Sequence, residues 1–390
     1  MLTREENQML TSVGRGTPAG EWLRRYWMPV ACAGELTDEK PIKAFRVLGE
    51  DLVVYRDQTG RYGVVAEQCP HRKASLAFGR VDAEGIRCPY HGWKFDCTGK
   101  CLEQPAEPES GGFKDKIKHT AYPCERLGGL LWAYLGPEPR PLLPRWDVLC
   151  WERGKRWIEK HEIYRCNWLQ PTENSVDPSH LYWLHGNTAH LAPTVDRYEE
   201  EHEFTPFEHG IMKRRITPGR KLGDAPVIDQ HPLLFPTTLR HVFREKLLTG
   251  RLRHNLQIRV PVDDAHTQVY VIYFSPADNE HSPADGDTPW EYFPIRDENG
   301  DYRLEHVLVQ DAMAWETQGA PTDRTQEHLG VGDGGIILLR KLLREQIELV
   351  QRGGEPLGVV RDPSLNLLIE FDVINQRIGV FGKRPPQKVA

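Results

Sequence analysis

The sequence predicts an α+β chain, with a small all-β domain followed by a larger domain in which an antiparallel sheet is covered by helices. Three observations predict it. Between Lys43 and Glu67 the segments KAFRVLG, DLVVYRD and RYGVVAE alternate apolar and polar positions and are broken by turn residues, the pattern of strands. From about 198 to 276 the alternation returns in EHEFTPFEHGIMKRRI, LRHVFREKLL, RLRHNLQIRVPV and HTQVYVIYFSP, which read as antiparallel strands of a second sheet. Helical spacing is confined to the start of the chain, to the segment around 170–185, and to the stretch after residue 304.

Taken in order, Thr3-Arg4-Glu5-Glu6 is a capping box that should start a helix running to about Ser12. Gly14, Gly16 and Pro18 end it, and Gly20 to Trp27 is an aromatic-rich packing segment. GGLLWAYLG, from Gly128 to Gly136, supplies a further strand to the β domain. Pro137, Pro139, Pro141 and Pro144 mark a crossing between domains. The expected division is an N-terminal helical segment over 1–40, packing on the catalytic domain, a β domain over 41–140 and a catalytic domain over 141–390. Residues 277–290 read as a polar loop, and Leu304 to Gln318 as a helix. Asp333-Gly334-Gly335 opens a last helix, whose Ile336, Leu339, Leu343, Ile347 and Val350 form a core stripe before Gly353-Gly354 closes it.

The totals exclude several classes. A chain of 390 residues has room for one large or two medium domains. A formal net charge of −6 without a basic tract argues against nucleic acid as partner. No apolar window long enough to span a bilayer occurs, and MLTREENQML has no apolar signal region, so a cytoplasmic protein off the membrane is expected. Six of the eight cysteines (Cys32, Cys97, Cys101, Cys124, Cys150 and Cys166) are scattered and read as reduced thiols.

The other two belong to the most informative stretch, Cys69 to Trp93, CPHRKASLAFGRVDAEGIRCPYHGW. Cys69-Pro70-His71 and Cys88-Pro89-Tyr90-His91 are two Cys/His pairs, each stiffened by proline, which fixes φ and removes an amide donor. Two thiolates and two imidazoles suit a tetrahedral zinc, or a 2Fe-2S cluster with cysteines on one iron and histidines on the other. Zinc fingers keep the cysteines together and the histidines together; here each pair is mixed, which favours the cluster.

A second constellation lies in NWLQPTENSVDPSHLYWLHG, residues 167–186. Asp177 and His180 share a helix face, and Pro178 suits a first helical turn. His185, five residues past His180, stands about 140° around an ideal helix and joins it at one metal only where the helix bends or ends, as Gly186 permits. His190 is a weaker candidate in the following loop. Asp311 lies in an apolar helical run, and Glu316 is the alternative carboxylate. Two imidazoles and one carboxylate make the facial triad of non-heme Fe(II) oxygenases. Of Arg214, Arg215, Arg240, Lys246, Arg251, Arg253 and Arg259, most should be solvated, with one or two facing a cavity to pair with a carboxylate substrate.

With these motifs, TREENQMLTSVGRGTPAGEWLRRYWMPV and DRTQEHLGVGDGGIILLR, the chain resembles the oxygenase component of the Rieske non-heme iron oxygenases over nearly its whole length. The likeness is to the phthalate-dioxygenase-like branch, which has only α subunits and includes aryl O-demethylases. The resemblance implies that Cys69, His71, Cys88 and His91 bind a Rieske 2Fe-2S cluster and that His180, His185 and Asp311 bind a mononuclear Fe(II). Asp177 would be the bridge between centres. It further implies a homotrimer or dimer of trimers, a small aromatic substrate with O2, and electrons from NAD(P)H through a ferredoxin or flavin reductase.

Within that class, O-demethylation of a carboxylate-bearing aromatic is the expected reaction, and ring cis-dihydroxylation the alternative. A Rieske electron carrier with an accessory domain, or a zinc-stabilised interaction module, would need no second iron.

Overall fold

The computed structural model describes residues 1–186, 201–217, 227–244, 252–372 and 374. The chain begins as its capping box dictates. Thr3 Oγ1 accepts the Glu6 amide at 3.1 Å, the Glu6 carboxylate accepts the Thr3 amide at 2.8 Å, and helix α1 runs Arg4–Thr11. The aromatic segment then divides into a short helix α2, Pro18–Leu23, with proline in its first turn and Trp22 buried, and a strand β1, Trp27–Cys32. The region before residue 41 is thus not helical throughout.

The three expected strands are β2 (Ile42–Val47), β3 (Glu50–Arg56) and β4 (Tyr62–Ala66). Four short strands follow: β5 (Arg80–Val81), β6 (Ile86–Arg87), β7 (Lys94–Phe95) and β8 (Cys101–Glu103). Then come β9 (Ala121–Tyr122), β10 (Cys124–Leu127) and β11 (Leu130–Tyr134). They form three small sheets, β2-β3-β4-β9, β5-β6-β7-β8 and β1-β11-β10. Val53, Tyr55, Val65, Leu76, Ile86 and Phe95 make a separate core that also encloses Cys69, Cys88 and Trp93.

After the proline crossing, α3 (Asp147–Cys150) leads into β12 (Arg153–His161), α4 (Leu169–Asn174) and α5 (His180–Trp183). The strands β13 (Glu201–Phe207), β14 (Gly210–Thr217), β15 (Val227–Leu234), β16 (Thr238–Arg244), β17 (Leu252–Pro261), β18 (Thr267–His281) and β19 (Trp290–Phe293) complete an eight-stranded sheet. Its order is β13-β14-β15-β16-β17-β18-β12-β19, antiparallel except for the β12/β19 pair. Two readings change here. β15 has no counterpart among the four segments picked out from the sequence. β18 carries on through residues 277–281, read as loop: after Pro276 pairs with Gly154 the register shifts, and His281 pairs with Arg153 at the exposed strand end. The remaining helices are α6 (Val307–Thr317) and α7 (Gly334–Gln351), the latter with Leu339, Leu343, Ile347 and Val350 buried as its stripe requires. No helix among the described residues is long and apolar enough to cross a membrane.

What fixes α4 against the C-terminal helix is a buried charge network. Glu173 accepts from Arg324 at 2.7 Å and from Arg340 of α7 at 2.6 Å, and Arg340 also holds Glu327 at 2.7 Å. Burial would push the Glu173 carboxyl up, but the two guanidiniums hold it below the usual range of 4.5. Its stabilising contribution is therefore present above pH about 4.5 and is lost as pH falls through the lower folded value. Replacing Glu173 by Ala leaves two buried cations short of a partner, and it should cost about 3–5 kcal/mol at neutral pH. Urea unfolding at pH 7 and pH 4 should show this loss shrinking at the lower pH.

Candidate metal centres

The two cluster loops repeat one backbone design. In the first, the Cys69 amide donates to the Ala74 carbonyl at 2.9 Å and the Lys73 amide to the Cys69 carbonyl at 2.9 Å. In the second, Cys88 donates to Trp93 at 2.8 Å and Gly92 to Cys88 at 3.1 Å, at the same offsets. The fourth residue after each cysteine is left-handed, Lys73 at φ 63° and Gly92 at φ 74°. Both thiols are thereby turned into the β-domain core, while His71 is exposed and His91 half-buried.

The two imidazoles face each other with ring centroids 4.6 Å apart, and Trp93 stacks on His71 at 4.5 Å. His91 Nδ1 is enclosed yet has no hydrogen-bond partner among the described residues, a cost that a metal bond would remove. Burial, reinforced by the adjacent Cys88, pushes the Cys69 thiol up to about 12, as for paired thiols awaiting a metal. Buried sulfur and outward nitrogen donors on matched loops fit a 2Fe-2S cluster whose histidine-bound iron lies nearest the surface.

The second centre joins elements far apart in sequence. α5 ends at Trp183, so His185 lies beyond the helix and the 140° separation no longer applies. Ligand atoms of His180, His185 and Asp311 all lie within 4.8 Å of one another. His185 Nε2 is 3.3 Å and His180 Nε2 3.7 Å from Asp311 Oδ1, and the imidazole centroids are 5.3 Å apart. Gln310, which the sequence reading did not single out, sets the His185 ring. Its amide nitrogen donates to the Leu304 carbonyl at 2.7 Å, so its oxygen faces His185 Nδ1 at 2.8 Å. That oxygen accepts the Nδ1 proton and leaves the Nε2 lone pair for a metal.

Burial lowers His180. At His185 burial pulls the same way, but the hydrogen bond to Asp311 outweighs it and the ring is raised. Burial opposes the Asp311 carboxylate, yet the two imidazoles hold it below its usual range. A buried carboxylate that stays ionised and draws a proton onto His185 is a site demanding a cation.

Asp177 lies at the rim. Its Oδ1 accepts the Ser179 amide at 3.0 Å, and its Oδ2 stands 3.8 Å from His180 Nδ1, beyond hydrogen-bond reach. Glu316 is not at the site. It sits five residues after Asp311, on another face of α6, where Arg296, Tyr302 at 2.6 Å and the Arg165 amide at 2.8 Å occupy its carboxylate. His190, Lys246 and Arg251 lie outside the described residues. Arg240 and Arg259, expected among mostly solvated charges, are both buried, and so is Lys213 beside them in the sheet. Burial, with Arg215 and Arg259 nearby, pulls Lys213 down to about 8, and Asp177 and Asp311 act against the fall.

A family model described as the Rieske 2Fe-2S domain matches residues 26–122. The chain is 39% identical over 385 residues, 96% of its length and 88% of the relative's, to the 5,5'-dehydrodivanillate O-demethylase oxygenase subunit of Sphingobium sp. (strain NBRC 103272 / SYK-6). The chain belongs to the Rieske non-heme iron oxygenases, as an oxygenase α subunit. This Rieske oxygenase is also 31% identical to the phthalate 4,5-dioxygenase oxygenase subunit of Pseudomonas putida, over 96% of its own length and 92% of that subunit's. Among solved structures, NdmA of Pseudomonas putida CBB5 shares its fold, with a TM-score of 0.63 at 23% identity over 86% of this chain and 93% of the other. The family carries a Rieske cluster and a non-heme iron site, and the two constellations fit those groups.

Replacing His185 by Ala should lower iron from about three to about two atoms per chain while acid-labile sulfide and the visible cluster spectrum persist. Replacing Gln310 by Leu should weaken mononuclear iron binding about 10- to 100-fold with the same cluster spectrum, read by titration of the iron-stripped site.

Proposed function

We propose that this oxygenase O-demethylates a carboxylate-bearing aromatic methyl ether. Electrons would come from NAD(P)H through a separate reductase or ferredoxin. The observation that carries the reading is the gathering of His180, His185 and Asp311 within 4.8 Å, beside a second Cys2His2 constellation in one chain. In this reading Cys69, His71, Cys88 and His91 hold the cluster, and His180, His185 and Asp311 hold the iron. When bound, the cluster supplies electrons one at a time and the ferrous ion supplies the site of O2 activation.

The chain's own part is positional. Gln310 keeps the His185 lone pair aimed inward, and Asp311 neutralises charge at the metal. Asp177, 28% exposed at its side chain, would join His180 to a ligand of a neighbouring subunit's cluster, within a trimer or a pair of stacked trimers. In the overall reaction one oxygen atom of O2 enters a methyl C–H bond. The other leaves as water, with two electrons and two protons consumed. The resulting hemiacetal separates into formaldehyde and a phenol. The domain division at the proline crossing and a cytoplasmic location belong to the same proposal.

The name of the dehydrodivanillate relative favours demethylation, and that of the phthalate relative favours the second reading, ring cis-dihydroxylation. Incubation with a reductase, NADH and paired methoxylated and unsubstituted aryl carboxylates decides between them. Formaldehyde equimolar with O2 consumed is expected; a cis-diol would overturn demethylation. Asp177→Asn should slow oxidation of the reduced cluster by more than about 10-fold while iron content stays constant, measured by single-turnover absorbance.

A further inference from the structure

One row of residues crosses the large sheet on the face toward the iron-site helices. Backbone pairing sets Phe204 opposite Lys213, Lys213 opposite His231, His241 opposite Asn255, and Asn255 opposite Tyr273. The His231 and His241 rings lie 3.9 Å apart and close the row. On β17, Arg259 lies on the same face as Asn255, and its guanidinium donates to Ser175 Oγ, just beyond α4, at 2.8 Å. Lys213, His231, Asn255 and Tyr273 are buried and His241 partly so, a run of polar groups that a sheet core does not favour without a reason.

Its charges do not balance. Elsewhere buried cations are answered: Arg24 by Glu50, Arg240 by Asp147, and Arg324 and Arg340 by Glu173. Arg156 spends its donors on backbone carbonyls. Lys213 is 5% exposed, and among the described residues its ammonium makes neither a hydrogen bond nor an ion pair. Arg259 has the Ser175 hydroxyl and the Gln257 amide oxygen, and no carboxylate. Asp177 and Asp311 are the carboxylates whose charge acts on Lys213, while Asp229 on the same face is taken by Arg215 at 2.8 Å. Once a divalent ion is held by Asp311 and the two histidines, two cationic side chains and the ion face, among the described residues, those two carboxylates. A layer so closed from water calls for an anion from outside. Asn255, 1% exposed, adds an amide whose oxygen and nitrogen both lack a partner.

We propose that Lys213 is the cation that receives the carboxylate of the aromatic substrate, with Arg259 reinforcing the positive field behind it. This deepens the oxygenase reading and rests on it. The polar row would then select an anionic ring over a neutral one, and burial strengthens that selection, because a charge-assisted contact counts for more away from water.

The test is anaerobic calorimetric titration of the metal-loaded protein with 3-methoxybenzoate and with its neutral counterpart 3-methoxybenzamide. The wild type should bind the benzoate at least about 10-fold more tightly than the amide. Lys213→Met should lose about 10- to 100-fold in benzoate affinity, with amide affinity little changed, and Lys213→Arg should restore most of the preference. Lys213→Met should also melt at or above the wild-type temperature without ligand, since it removes a buried, unanswered charge. Equal binding of the two probes by the wild type, an undiminished benzoate preference in Lys213→Met, or a lowered melting temperature would each overturn the proposal. Binding is read apart from turnover. Selective binding without formaldehyde or O2 uptake would therefore fail the oxygenase reading while sustaining the anion site.

Discussion

The catalytic domain is organised around a carboxylate placed where a carboxylate is costly. Asp311 is buried on α6, with His185 and His180 on one side and the Asn174 amide 3.5 Å away on another. Removing such a group from water costs several kcal/mol unless positive charge answers it. The protein answers with two imidazoles that face the carboxylate and would offer lone pairs to a bound metal. α4, α5 and α6 must therefore be held close, and the Glu173 network clamps the first of them to the C-terminal helix. His180 sits on a one-turn helix and His185 beyond its end, so the rigidity that defines their geometry comes from the elements behind them.

The two centres are assembled on different principles. The cluster loops are local: each cysteine is fixed by hydrogen bonds to its own fourth and fifth successors, and both loops belong to one small β core. Such a site can form as soon as its domain forms. The iron site spans more than a hundred residues, from His180 to Asp311, and its second layer adds Gln310, Asn174 and the sheet residues Lys213 and Arg259. It exists only when the large sheet has closed against its helices. That difference suits the division of labour in a Rieske oxygenase. Electron storage needs a stiff, self-contained clamp near the surface, whereas oxygen chemistry needs a deep site whose walls can be rebuilt for different substrates.

The sequence was most legible where chemistry and turn geometry coincide. The Thr3 capping box, the Cys-Pro-His and Cys-Pro-Tyr-His pairs and the apolar stripe of α7 each carry their own local instruction: the structure forms the cap and the stripe and sets each cysteine in a tight turn. Strand ends were less legible. Residues 277–281 are mostly polar yet belong to β18, which runs on past an irregularity opposite Arg153 and Gly154 into an exposed strand end. Glu316 and Asp311 could not be told apart by type, since both are acids in an apolar helix. Their separation of five residues puts them on different faces, and Arg296 and Tyr302 claim one while the histidines claim the other.

Residue identity and spacing alone named the kinds of donor atoms and the two candidate sites, because ligand chemistry and turn propensity are short-range properties. Which acid meets the histidines, that Gln310 orients one of them, and that Lys213 and Arg259 are buried rather than solvated were decided only by the tertiary structure. The reason is physical. Alternation in a strand says that a side chain has a face, but only the packed sheet and the helices laid across it say which face loses its water.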